Sequence, residues 1–188
     1  MTNINKELDK IKERISNPNF LLNKGMANEV GIHIFCYDPK HEYQIRDFIK
    51  RVSSDATANY RIIEQDMYEI FMKILTEKRI LDSMPGIEEK RGKEYLLTYL
   101  QNNIAKPRAF LEKMRYEPHE RGRDVLFLTG VGKVFPFMRA HIMLNAMQEM
   151  FSDIPILAFY PGSFNGQDLA LFNKIFEGNY YRAFNLIK

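Results

Sequence analysis

The chain has 188 residues, a formal net charge of +3 and a single cysteine, with 45% hydrophobic and 27% charged residues. These values fit one globular domain over residues 1–188, and the charge is too mild to argue for nucleic-acid binding from the total. One cysteine excludes an internal disulfide and a cysteine-rich metal site. No apolar run reaches the ~18 residues of a membrane span, and the charged start MTNINKELDKIKERI has no apolar signal segment. A cytoplasmic protein without a membrane segment is the expectation.

Asn5–Ser16 reads as an amphipathic helix with a thin stripe of Leu8, Ile11 and Ile15. Asn17-Pro18-Asn19 ends it, a short apolar patch Phe20–Leu22 follows, and segment 1–22 is expected to pack peripherally. Val30–Tyr37 is a first strand, closed by Asp38-Pro39, and Cys36 within it reads as a buried, inert thiol. Ile45, Phe48, Ile49 and Val52 give a helix face over Glu42–Val52, and Ser53–Asn59 is a loop. Tyr60–Gln65 is a second strand. Asp66 caps a helix over Asp66–Lys78, with Glu69 three residues on as in a capping box. Asp82–Gly92, with Pro85-Gly86 and EEKRGKE, reads as a surface loop. Helical pattern resumes over Glu94–Ile104, and after Pro107 for a further turn or two. Arg115–Asp124 is a charged link.

Asp124–Gln167 organises the rest. Asp124–Thr129 is an apolar strand, and Gly130 and Gly132 follow it. Ala140, Met143, Leu144, Met147, Met150 and Phe151 repeat at helical spacing, and Ile156–Tyr160 is another apolar strand closed by Pro161-Gly162. Strand, helix and strand make a parallel right-handed crossover, so the loops after Thr129 and Tyr160 emerge at the same, carboxyl-end edge of a sheet. Gln167–Ile175 reads as a helical piece and Tyr180–Ile187 as a last strand. The fold class is therefore α/β: a central, mainly parallel sheet of five strands with helices on both faces.

The segments DVLFLTGVGKVFPFMRAHIMLNAMQ, IPILAFYPGSFNGQDLALF and NYYRAFNLI resemble the BrxB family, a component of bacterial BREX phage-defence systems. The resemblance extends upstream through NEVGIHIFCYDPKHEYQIRDFIKRV and RIIEQDMYEIFMKIL. It implies a cytoplasmic anti-phage assembly. It also implies partners such as the system's alkaline-phosphatase-like protein, its large ATPase and its DNA methyltransferase. It implies no catalytic residues.

The residues themselves complete no catalytic motif. A phosphate loop needs G-x-x-x-x-G-K-[ST], whereas Gly130-Val131-Gly132-Lys133 is followed by Val134; a dinucleotide fingerprint needs a third glycine where Phe135 stands. After the first strand the chain reads Asp38-Pro39-Lys40-His41, without glycine, so an ATPase ancestry would have lost its phosphate loop. His33, His41, His119 and His141 form no metal-binding frame, and Gly162-Ser163-Phe164-Asn165-Gly166 is not the G-x-S-x-G of a nucleophile elbow. No cofactor is assigned.

The candidate surface is instead glycine, aromatic and basic: Thr129, Gly130, Gly132, Lys133, Arg139, Tyr160, Gly162, Phe164, Asn165, Tyr181 and Arg182. Tyrosine and arginine supply large desolvated contacts in protein interfaces. Arg139 opens a helix, where a cation opposes the dipole, which points to an external carboxylate or phosphate. The sequence therefore supports a non-catalytic assembly component acting through protein contacts. The alternatives are a degenerate nucleotide-binding module holding phosphate at Thr129–Lys133, and a nucleic-acid-binding subunit using Arg115, Arg121, Arg123 and Arg139.

Overall fold

The computed structural model describes residues 3–24, 31–165, 168–176 and 184–187. Asn3 caps α1 (Ile4–Ile15) by accepting a hydrogen bond from the Asn5 N–H, and Asn17 does the same for the short α2 (Pro18–Leu21). The first strand, β1 (Ile32–Tyr37), leads through a 3-10 turn at Pro39–His41 into α3 (Glu42–Ser53). Next come β2 (Arg61–Asp66) and α4 (Met67–Glu77), with Asp66 as N-cap. Helices α5 (Met84–Arg91) and α6 (Lys93–Tyr99), a π-helical stretch at Leu100–Ile104 and α7 (Pro107–Met114) lead to β3 (Asp124–Thr129). The chain continues through α8 (Val131–Val134), α9 (Ala140–Met150), β4 (Ile156–Phe164), β5 (Leu169–Leu171), β6 (Ile175–Phe176) and β7 (Phe184–Asn185).

The parallel strands lie in the order β2-β3-β4-β1-β7. The class is α/β with a mainly parallel sheet, as the alternation of elements predicts. Each face has its own core. Along β3, Val125 and Phe127 join Ile11, Ile15, Phe48 and Phe159 on the face of α1 and α3. Leu126 and Leu128 join Phe71, Phe110, Leu144 and Met147 on the face of α4, α7 and α9. This two-sided burial is why the central strands read as continuous apolar runs. The stripe of α1, Leu8, Ile11 and Ile15, is buried in the first core, and most of the helix's other residues are exposed. Among the described residues, no helix is long and apolar enough to cross a membrane.

At the amino end of the sheet, Arg61 of β2 lies in register with Asp124 of β3. Arg61 Nε meets Asp124 Oδ1 at 2.6 Å and Nη2 meets Oδ2 at 2.8 Å, a two-pronged pair. The Tyr116 hydroxyl and the Glu120 N–H also donate to Asp124 Oδ2, at 3.0 and 2.9 Å. Burial pushes the Asp124 carboxyl up, but the Arg61 guanidinium and these donors outweigh it and hold the group below the usual range. Its stabilisation is present above the carboxylate range and is lost as pH falls below it.

The structure corrects three expectations. Asp82–Gly92 is not a loop: Pro85 sits in the first turn of α5, where its missing N–H costs nothing, and Gly92 at φ +83° ends the helix. The strand at Ile156 does not stop at Pro161-Gly162 but runs to Phe164, its tail pairing with β5. Gln167–Ile175 is not helical over its described residues: 168–175 hold β5, a tight turn with Phe172 and Asn173 at φ +55° and +60°, and the start of β6. Of the expected last strand, Phe184–Asn185 form β7, while residues 180–183 lie outside the described residues, as does Val30.

His33 is expected to be a strand residue with a polar partner. It is buried in β1 against Phe20, ring centroids 4.8 Å apart, and its Nε2 has no hydrogen-bond partner among the described residues. Burial, reinforced by the Arg14 charge, lowers its pKa from 6.5 to about 4, so the folded protein keeps it neutral. Below pH ~6.5 the unfolded chain takes up a proton that the folded state refuses. Stability measured by urea unfolding should therefore fall between pH 6.5 and about 4, and His33→Gln should flatten that limb.

Candidate functional site

The carboxyl ends of β1, β2, β3 and β4 deliver four connections to one edge of the sheet, the usual place for a site in an open α/β fold. A cavity of about 460 Å³ opens there, lined by Tyr37, Arg46, Glu64, Asp66, Thr129 and Lys133 among others. A second cavity of about 210 Å³ lies between Arg46, the Gly130–Lys133 turn, Pro161 and Phe172.

Asp66 dominates the larger cavity. Its Oδ1 accepts the Tyr68 and Glu69 N–H groups at 2.9 and 3.2 Å, which caps α4. Its Oδ2 pairs with the Lys133 ammonium, which lies 5.7 Å from the centre of the Tyr68 ring. Gly130 has φ +71°, and a Cβ there would stand 2.2 Å from Asp66 Oδ1. Only glycine meets both conditions. The glycine turn is thus moulded onto the α4 cap.

The other polar groups also find partners inside the edge. Thr129 donates to Glu64 Oε1 at 3.0 Å. The Tyr37 hydroxyl donates to Glu42 Oε2 at 2.5 Å, and Arg46 Nε donates to Glu42 Oε1 at 2.8 Å. Burial and the bond to Glu42 push the Tyr37 phenol up, so it remains a donor at neutral pH. Burial pushes the Cys36 thiol up to about 12, which keeps it protonated and unreactive. Among the described residues, no group of three or more His, Cys, Asp or Glu is placed to hold a metal ion.

The sequence-predicted surface residues divide. Thr129, Gly130, Gly132 and Lys133 share the edge, and Gly132 packs beside Phe172 and Pro161. Arg139 caps α9 by position, its carbonyl accepting from the Met143 N–H at 3.2 Å, and its exposed side chain has no ion pair or hydrogen bond among the described residues. Phe164 is half-buried, and the exposed Asn165 accepts from the Asp168 N–H at 2.7 Å. Tyr160 is fully buried, and a Cβ at Gly162 would strike the Ala170 carbonyl oxygen at 2.1 Å, so these two form the floor and not the surface. Tyr181 and Arg182 lie outside the described residues.

Three exposed aromatics belong to this edge and were not singled out from the sequence: Tyr43 at 83%, Phe172 at 38% and Tyr68 at 37% exposure. Tyr43 and Tyr68 stand in the first turns of α3 and α4, the helices that follow β1 and β2, and off the stripes of Ile45, Phe48, Ile49 and of Met67, Ile70, Phe71. An aromatic off the stripe at that position was the available signal. Phe172 had none, because its segment reads as helix.

Gly130→Ala should cost about 1–3 kcal/mol of stability from backbone strain alone. Asp66→Ala removes the clashing carboxylate, so the double variant should lose less than the sum of the single losses in urea unfolding. Simple additivity would mean that the two residues do not meet.

Residues 63–186 match the family described as "BREX protein BrxB". The chain is 38% identical over 192 residues to a BREX protein BrxB of Bacillus cereus (strain H3081.97), spanning 100% of this chain and 99% of that protein. It is 31% identical over 182 residues to a BREX protein BrxB of Escherichia coli O9:H4 (strain HS), spanning 96% and 90%. No solved structure matches. A matched segment covering most of the chain, with two relatives aligned nearly end to end, makes this chain a member of the BrxB family of BREX proteins.

Proposed function

We propose that this chain is a non-catalytic assembly component of a BREX-type phage-defence complex, and that it docks a partner protein on the carboxyl-end edge of its sheet. Family membership supports the context. One observation supports the mode: exposed Tyr43, Tyr68 and Phe172, from three separate elements, gather at an edge whose charged groups are largely paired with one another. Aromatic anchors over a pre-ordered polar floor suit a protein interface, where desolvated rings carry most of the binding energy. The alkaline-phosphatase-like protein, the large ATPase and the DNA methyltransferase of such a system are the partners to test.

The cavity of about 460 Å³ keeps a nucleotide-binding reading in play. Two features weigh against it. Lys133 is engaged by Asp66, and the same carboxylate occupies the N–H groups at the start of α4 that an anion would need. Helix α8, next to the glycine turn, is only four residues long. Calorimetry with ATP and magnesium should show no saturable heat; micromolar binding would replace the docking proposal with the nucleotide one.

The nucleic-acid reading loses its patch. Arg123 pairs with Glu120 at 2.9 Å, and Arg115 and Arg121 lie on the link to the start of β3. Arg139 opens α9 at the other end of the sheet, so the four arginines do not share a surface.

Tyr43→Ala and Phe172→Ala should each melt near the wild type and weaken recovery of the partner components by at least about tenfold, the size of a hot-spot loss. Normal recovery with both variants would move the interface elsewhere.

A further inference from the structure

The α5–α6 hairpin lies between β2 and β3 in the chain, and its groove shares no lining residue with the two cavities of the carboxyl-end edge. None of the eight residues of α5 is buried. Met84 and Ile87 pack partly against the main core, and the other six residues of the helix are exposed. Its inner side faces α6 across a groove of about 510 Å³. Gly86, Ile87, Tyr95 and Tyr99 make an apolar floor, and Lys90 and Arg91 supply the charge along it.

Three details describe what fits. A Cβ at Gly86 would meet nothing within 4 Å, so the floor has an open space there the width of a side chain. Tyr95 is 40% exposed, yet it is held in place: it stacks on Tyr99 with ring centroids 6.3 Å apart, and the Arg91 guanidinium lies 4.7 Å over its face. Ordering an aromatic and an arginine before binding lowers the entropy cost of binding. Finally, the groove lining holds two cations and no carboxylate, and neither Lys90 nor Arg91 has an ion pair among the described residues. The acids of the hairpin, Asp82, Glu88, Glu89 and Glu94, do not line it.

We propose that this groove is a second docking site, which takes an acidic, aromatic segment of a partner protein. One ring or branched side chain of the partner seats over Gly86 between Ile87 and Tyr95, and its flanking carboxylates meet Lys90 and Arg91. The charge complementarity selects an acidic partner, and the apolar floor selects a protein over a nucleic acid. A single-stranded nucleic acid needs a basic groove that follows its backbone over several phosphates, and two cations do not provide one.

The test uses the full chain and fluorescence anisotropy. The probe is a labelled short peptide with a central phenylalanine flanked by aspartates and glutamates. Controls replace the phenylalanine by alanine, replace the acids by lysines, or substitute a labelled oligothymidylate. Saturable binding is expected for the acidic phenylalanine peptide and should weaken at least about tenfold in each control. Gly86→Leu fills the open space, suits a helix and should leave melting unchanged or higher; Arg91→Glu reverses the rim. Both should weaken the acidic peptide by at least about tenfold, while Tyr43→Ala and Phe172→Ala leave it unaffected, which separates this site from the carboxyl-end edge. Absence of saturable binding, equal binding by Gly86→Leu and the wild type, or preference for the oligothymidylate would overturn the proposal.

Discussion

The Asp66 carboxylate joins three elements at one point. It caps α4, pairs with Lys133 of α8, and fills the space beside Gly130 that any Cβ would occupy. The ends of β2 and β3 are thereby locked together where the sheet opens toward the candidate site. At the other end of the same two strands, the part-exposed Arg61 and the buried Asp124 form a two-pronged pair in register. Among the described residues β2 pairs with β3 alone, so these two ionic clamps fix its register from both ends. Removing Arg61 is the costly change, because it leaves the buried Asp124 carboxylate without its cation.

The consequence for function is a difference in what the edge leaves available. The Lys133 ammonium is engaged, the first N–H groups of α4 are engaged, and Glu42 ties up both Tyr37 and Arg46. An anion seeking Lys133 or Arg46 would have to displace internal carboxylates. The aromatics keep open surface: Tyr43 is 83% exposed, and Tyr68 and Phe172 remain more than a third exposed although Lys133 lies by the ring of the first and Gly132 packs beside the second. Charges turned inward and rings turned outward favour a protein partner over a phosphate-bearing ligand.

Most of the sheet was legible in the sequence because its signal is local. Asp124–Thr129 is an uninterrupted apolar run between polar residues and glycine, and the Asp66 cap with Glu69 announces α4 directly. The missed elements are those where a local signal has two meanings. Pro85-Gly86 marks a turn in one context and a helix start in another, and only the packing of Met84 and Ile87 against the main core decides between them. Leu169–Leu171 carries an apolar run too short to show any period, and its strand state comes from pairing with the tail of β4. The glycine turn meets no phosphate motif in the sequence, but what shapes it is not local. The spacing of Gly130 and Gly132 invites a phosphate comparison, whereas the fold uses Gly130 to admit Asp66, a residue 64 positions earlier that no local motif connects to it.

The central claim is that the carboxyl-end edge is a protein-docking surface. Hydrogen–deuterium exchange on the chain, alone and in the purified assembly with its partner components, tests it most directly. The account predicts added protection in the segments that frame that edge: residues 38–46 after β1, 66–70 at the start of α4, 129–138 after β3 and the turn at 171–174. Protection confined to the amino-end segments, 115–124 and 150–156, with the four edge segments exchanging as in the free chain, would contradict it.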